Sequence, residues 1–233
     1  MTRTGSSSPE NAAQLGEIRN VEIPPVGVPG ILHVPHAAYG LVLFAHGSGS
    51  SRLSPRNTAV ANALNRHSFA TLLFDLLTPA EEADRANVFD IPLLATRLVD
   101  VARWIERQPA LAKLPLGLFG ASTGAAAAVV AAAKVPRHID AVVSRGGRPD
   151  LAGDTLAAVR APTLLIVGGT DHGVIELNEQ ALARLGGPKA LVIVPGASHL
   201  FPEPGALEAV IHHAAGWFAR HLAASGRKVT RNH

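Results

Sequence analysis

The stretch from Leu114 to Ala128 constrains this chain more than any other. Its apolar run Leu116-Gly117-Leu118-Phe119 leads into Gly120-Ala121-Ser122-Thr123-Gly124, and an alanine-rich run of helical character follows at once. A strand that passes through one sharp turn straight into a helix is a βα unit, the building block of sheets covered by helices. The turn makes its own demands. Glycines two residues either side of Ser122 let strand and helix approach without a Cβ clash. The helix start then points amide dipoles at the space beside the serine.

The remaining chain repeats the pattern. Ile18 to Ile23 alternates polar and apolar residues, as an edge strand does, and Gly30 to Pro35 reads as its antiparallel partner. Gly40 to Ala45, Ala70 to Asp75, Ile139 to Ser144, Pro162 to Val167 and Ala190 to Val194 are apolar runs that suit strands buried on both faces. Helices are predicted between them: from Ser54-Pro55 to Arg66, from Ile91 to about Gln108 with Asp90 as N-cap, from the elbow to about Lys134, over Asp150 to Val159, over Val174 to Leu185, and from about Ala206 to Ala223. The expected architecture is α/β: about eight strands in one mostly parallel sheet, two leading strands antiparallel, helices on both faces.

At 233 residues, 47% of them hydrophobic, the chain can bury a sizeable core, and with only 4% aromatics that core must be mainly aliphatic. Residues 1–16 read as a disordered leader, 17–225 as a single domain and 226–233 as a basic flexible tail. The chain holds no cysteine, which excludes a disulfide framework, a thiolate nucleophile and a cysteine-ligated metal. The net charge of +3 comes without a basic stripe interleaved with aromatics, so nucleic acid is not an expected partner. No apolar run approaches the roughly 18 residues of a membrane span, and no apolar signal-peptide core occurs, so no membrane partner and a cytoplasmic location are expected.

Ligands in such sheets lie beyond the carboxyl ends of the strands. The polar clusters fall there: His46-Gly47-Ser48-Gly49, Ser122, Asp171 and His199. Serine is a weak nucleophile until a base takes its proton, and the base needs a carboxylate to orient it. Ser122, Asp171 and His199 supply these roles in the chain order Ser, Asp, His, each after a separate strand. Asp171 could instead cap the helix that starts near Val174, and His172 is a rival base whose adjacency to the acid makes it a poor partner for Ser122. The backbone amides of Thr123 and Ser48 are the expected oxyanion donors. His46 reads as a loop organiser and Asp75 as a loop-structuring carboxylate. Arg52, Arg56, Arg145 and Arg148 fall near the same loops; they are expected to be solvated or paired with Asp75, Asp90 or Asp150 rather than to receive an anionic substrate group.

At these residues the chain resembles the serine hydrolases of the α/β-hydrolase superfamily that stand close to the dienelactone hydrolases. The resemblance rests on His46-Gly47-Ser48-Gly49, Phe74-Asp75-Leu76-Leu77-Thr78, Gly120-Ala121-Ser122-Thr123-Gly124, Gly168-Gly169-Thr170-Asp171 and Gly196-Ala197-Ser198-His199. It implies hydrolysis of a small-molecule carboxylic ester through an acyl-enzyme, without cofactor or metal. Dienelactone hydrolases use a cysteine nucleophile where this chain has Ser122, which points away from dienelactone as substrate. Acyl transfer or perhydrolysis by the same triad, and a silent hydrolase fold used for binding, are the alternatives; a homo-oligomer is left open. Only Arg145 to Ala161 separates the strand after the elbow helix from the next, so no cap domain is expected. Thr78 to Asp90, with Phe89, is expected to form part of the rim.

Overall fold

A computed structural model describes residues 16–136 and 138–229. Residues 1–15 of the expected leader and 230–233 of the expected tail lie outside the described residues. Eight strands form one sheet in the order β1-β2-β4-β3-β5-β6-β7-β8. They are β1 (Glu17–Ile23), β2 (Val28–Val34), β3 (Gly40–Ala45), β4 (Phe69–Phe74), β5 (Leu116–Ala121), β6 (Ala141–Arg145), β7 (Thr163–Gly168) and β8 (Lys189–Val194). β1 pairs with β2 and β2 with β4 antiparallel, while every pairing from β4 to β8 is parallel. Every residue of β3 to β7 is buried, whereas the edge strands β1 and β8 are largely open. Continuous apolar runs mark β3 to β7 in the middle of the sheet and the alternating run marks one edge; β8 departs from expectation, because its apolar run, expected to be buried on both faces, forms the other edge of the sheet and stays largely open.

The helices are α1 (Pro55–Arg66), the short α2 (Pro79–Glu82), α3 (Ile91–Glu106), α4 (Thr123–Lys134), α5 (His172–Arg184) and α6 (Ala206–Val229). Their starts are set locally. Ser54 accepts a hydrogen bond from the Asn57 amide, Asp90 accepts one from Leu93, and Pro55, Pro79 and Pro92 occupy first-turn positions where no amide donor is needed. α1 and α6 cover one face of the sheet, where Phe218 of α6 shares a cluster with Phe44, Phe69 and Phe119 of the strands. α3 and α4 cover the other, where the small side chains Ala126 to Ala128 pack close to the sheet among Leu43, Leu118 and Leu98. That substitution of alanine for bulk is how a chain poor in aromatics still closes its core.

Two further elements differ from expectation. The segment predicted as a helix over Asp150 to Val159 is a pair of tight 3₁₀ turns, Pro149–Ala158, broken at Gly153, whose φ of 55° no helix accommodates. α6 continues to Val229, past its expected end at Ala223 and into the stretch expected as a tail, because no proline stops it. The connection from β6 to β7 holds only these turns. Among the described residues no helix is long and apolar enough to cross a membrane.

Candidate active site

The turn after β5 is strained. Ser122 sits at φ 52°, ψ −125°, in a region that costs a non-glycine residue about 1–3 kcal/mol. Its neighbours hold it there. A Cβ on Gly120 would lie 2.5 Å from the Ala125 Cα, and one on Gly124 would lie 2.3 Å from the Ala45 carbonyl oxygen. Both glycines are required by close approach, as the sequence pattern demands. The Ser122 amide donates to the Arg145 carbonyl (3.3 Å), and the Ser122 carbonyl accepts from the amides of Ala125 and Arg148 (both 3.1 Å). The serine thus projects from a backbone pinned by β6 and α4.

The base and acid meet across two other loops. His199 Nδ1 lies 2.6 Å from Asp171 Oδ2. An ionised carboxylate only accepts, so Nδ1 carries the proton and the neutral ring keeps its lone pair at Nε2. Asp171 stands at the N-cap position of α5, yet its side chain makes no capping bond. Its carboxylate bonds to His199 instead. Thr170 ties these loops together: its amide and its hydroxyl both donate to the Ala197 carbonyl (2.9 Å each). Gly146, at φ 49°, lets the β6 loop reach His199, since a Cβ there would lie 2.9 Å from the His199 carbonyl oxygen. His199 keeps 38% of its side chain exposed and Asp171 18%. Among the described residues no hydrogen bond joins Ser122 Oγ to His199. His172, the rival base, is exposed at the first position of α5.

Of the two expected oxyanion donors, Thr123 opens α4 beside Ser122. The Ser48 amide is also adjacent, but it donates to Thr123 Oγ1 at 3.0 Å. The two residues are brought together; the Ser48 N–H is engaged by the Thr123 hydroxyl.

Behind the Ser48 loop lies a buried polar chain. His46, 7% exposed, donates from Nδ1 to the Gly47 carbonyl (3.0 Å) and accepts at Nε2 from the Leu76 amide (3.1 Å). The Leu76 carbonyl accepts from Arg97 Nε (3.1 Å), and Arg97 Nη2 grips both oxygens of Glu81 (2.7 and 3.0 Å). Glu81 also closes the capping box of α2 through the Thr78 amide. Helix-terminal hydrogen bonds and Arg97 hold the Glu81 carboxyl below its usual range against the opposing effect of burial. His46 is therefore the loop organiser expected. Asp75 likewise accepts from the Arg52 amide (2.7 Å) and forms an ion pair with the Arg52 guanidinium, as a loop-structuring carboxylate should.

Burial pulls the His46 pKa below its ordinary value and outweighs the opposing pull of the Gly47 carbonyl, Asp75 and Glu82. The unfolded chain then takes up a proton, as pH falls below about 6.5, that the folded ring refuses. Stability is accordingly complete above that pH and declines as pH falls toward the folded value. One such proton sets a ceiling of about 1.4 kcal/mol per pH unit. Urea denaturation at pH 7.5 and 5.5 is expected to give a slope that His46→Gln reduces but does not abolish, because burial lowers His33 and His221 too.

Three positioning residues escape a reading of the sequence. Asn178, fully buried on α5, donates to the Gly147 carbonyl (2.9 Å) and so fixes the loop that contacts Ser122. Glu203 accepts from the Ser198 amide (3.0 Å), and that contact holds its carboxyl below the usual range. Arg97 interrupts the apolar face of α3 between Leu94 and Leu98, the one local sign that it does more than face water. Among the arginines near the site, Arg52 and Arg148 are paired as expected, Arg148 with both oxygens of Asp150 (2.9 and 2.8 Å). Arg145 departs from expectation. It is largely buried, 7% exposed, and among the described residues its Nε and Nη1 have no partner.

A narrow cleft of about 10 Å³ lies against Gly47, Ser48, Leu76, Leu77 and Thr123. A larger cavity of about 230 Å³, at the opposite edge of the sheet where β5 begins, plays no part in this arrangement. Among the described residues no group of histidine and carboxylate side chains could hold a metal ion.

This fold and this edge define the class. The family model for the α/β hydrolase fold matches residues 40–161, and the chain belongs to that family. Within it the chain resembles a dienelactone hydrolase from Anabaena variabilis: 54% identity, TM-score 0.86, with 90% of this chain and 99% of that one covered. Est1E from Butyrivibrio proteoclasticus shares the fold at 16% identity, TM-score 0.73, over 86% of this chain and 98% of that one. A Mycobacterium tuberculosis protein provisionally named a phosphoribosyl transferase is 61% identical over 87% of this chain and 46% of its own length. The chain thus spans about half the length of that relative.

Proposed function

We propose that the protein is a carboxylesterase-type serine hydrolase. The observation that carries this reading is the 2.6 Å bond between His199 Nδ1 and Asp171 Oδ2, made by a carboxylate that forgoes the helix cap beside it. Ser122 Oγ attacks the acyl carbon while His199 Nε2 takes its proton, and the alcohol leaves with that proton. Water, deprotonated by the same nitrogen, then releases the acid and frees Ser122. Asp171 fixes the tautomer and balances the imidazolium. The Thr123 and Ser48 amides receive the oxyanion. Because Ser48 N–H already donates to Thr123 Oγ1, the incoming oxygen must share or replace that acceptor.

The uncapped β6–β7 connection supports small or accessible acyl groups. A fluorophosphonate probe is expected to label Ser122, as read by peptide mass spectrometry. Rates over p-nitrophenyl esters are expected to fall steeply beyond short acyl chains. Absence of both labelling and ester turnover in the folded protein would sink the esterase reading, and a preference for long chains would contradict the small acyl group.

A further inference from the structure

Arg145 ends β6, in register with Ala121, and its carbonyl accepts the Ser122 amide. Its side chain is buried at the working edge of the sheet without a counter-ion among the described residues. Three other arginines around the site have one: Arg52 has Asp75, Arg97 has Glu81 and Arg148 has Asp150. The charge that acts on Arg145 is of the same sign. Arg56, in the first turn of α1, lies within electrostatic range of it, and the Arg56 Nε is also buried without a partner. A buried charge is tolerated when paired and hydrogen-bonded, and two unpaired like charges compound the cost. Burial first, and Arg56 second, pull the Arg145 pKa down to about 10, which still leaves it ionised at neutral pH.

We propose that Arg145 and Arg56 form an oxyanion-binding site beside the nucleophile, which takes a carboxylate or phosphate group. The guanidinium fork presents planar paired donors that fit either group, and an anion reached by both arginines would satisfy the orphaned Nε and Nη1 atoms while screening the repulsion. The Arg145 carbonyl accepts the Ser122 amide, so the residue that carries this charge adjoins the nucleophile in the fold. In that form the site deepens the esterase reading and rests on it: the preferred substrate carries an acidic group apart from the ester.

Two measurements test this on the full chain. Calorimetric titration with inorganic phosphate is expected to show binding that Arg145→Gln and Arg56→Gln each weaken at least about tenfold, with Arg145→Lys restoring it only in part because the fork is lost. The ratio of kcat/KM for p-nitrophenyl hemisuccinate to that for the neutral p-nitrophenyl butyrate is expected to fall about tenfold in the same variants. Phosphate that competes with hemisuccinate assigns the site to a substrate group; phosphate that binds without competing assigns it to a free anion. Either result supports the site. Phosphate affinity and substrate ratio indifferent to both glutamine variants would overturn it. Arg56→Gln, in the first turn of α1, decides the matter if Arg145→Gln does not fold. Calorimetry needs no turnover, so a chain inactive on every ester would refute the esterase reading and still decide this one.

Discussion

Ser122→Ala is expected to lower kcat on a p-nitrophenyl ester by about 10⁴- to 10⁶-fold with little change in KM. In the proposed mechanism the hydroxyl oxygen forms the acyl bond, so without it no acyl-enzyme exists and the pre-steady-state burst is expected to disappear. Alanine keeps the Cβ of serine, and with it the strain at φ 52°, so the elbow and its contacts to Arg145, Arg148 and Ala125 persist. The melting temperature should therefore hardly move, which separates lost chemistry from lost fold. Some rate above that in water should survive, about 10³-fold, from the oxyanion donors and His199-assisted water attack. A variant that kept a tenth or more of wild-type kcat would place the nucleophile elsewhere, and the hydroxyls of Ser48 and Thr123 would be the first to examine.

What the sequence discloses about this fold depends on how local each cause is. The elbow is legible because two close approaches, of Gly120 to Ala125 and of Gly124 to Ala45, demand glycine at fixed spacing from Ser122. The buried strands are legible because burial on both faces writes itself as an unbroken apolar run. The loops that carry Asp171 and His199 are legible as small-residue turns after such runs. What holds those loops in place is not local. Asn178 reaches the Gly147 carbonyl, Arg97 reaches Leu76 and Glu81, and His46 reaches Leu76, all across elements far apart in the chain. A single sequence carries no signal for such pairs beyond a polar residue on an apolar face. Arg145 misleads for the related reason that a charge at the end of an apolar run reads as the point where a strand meets water. In this fold the end of β6 is covered, and the charge stays buried. The 3₁₀ turns at Pro149–Ala158 read as a helix because composition does not reveal that Gly153 adopts a positive φ.

Asp171→Asn is the substitution that separates chemistry from architecture at the second loop. Asparagine caps helices about as well as aspartate, so a residue that served only α5 would tolerate the exchange with stability and activity intact. The observed side chain makes no cap; it accepts the His199 Nδ1 proton at 2.6 Å. A carboxamide in that place has one accepting oxygen and one donating nitrogen. If the nitrogen faces His199, the ring is driven to carry its proton on Nε2, the atom that must take the proton from Ser122. If the oxygen faces it, the tautomer survives but the negative charge that balances the imidazolium is gone. Either way kcat should fall by about 10⁴-fold, while the urea midpoint stays close to that of the wild type. Asp171→Ala would add nothing to this test, because it removes every polar atom of the side chain and so would abolish an acid or a cap alike. A kcat within tenfold of wild type in Asp171→Asn would return Asp171 to the role of an N-terminal helix residue and require another carboxylate to orient His199; among the described residues, none other bonds to its ring.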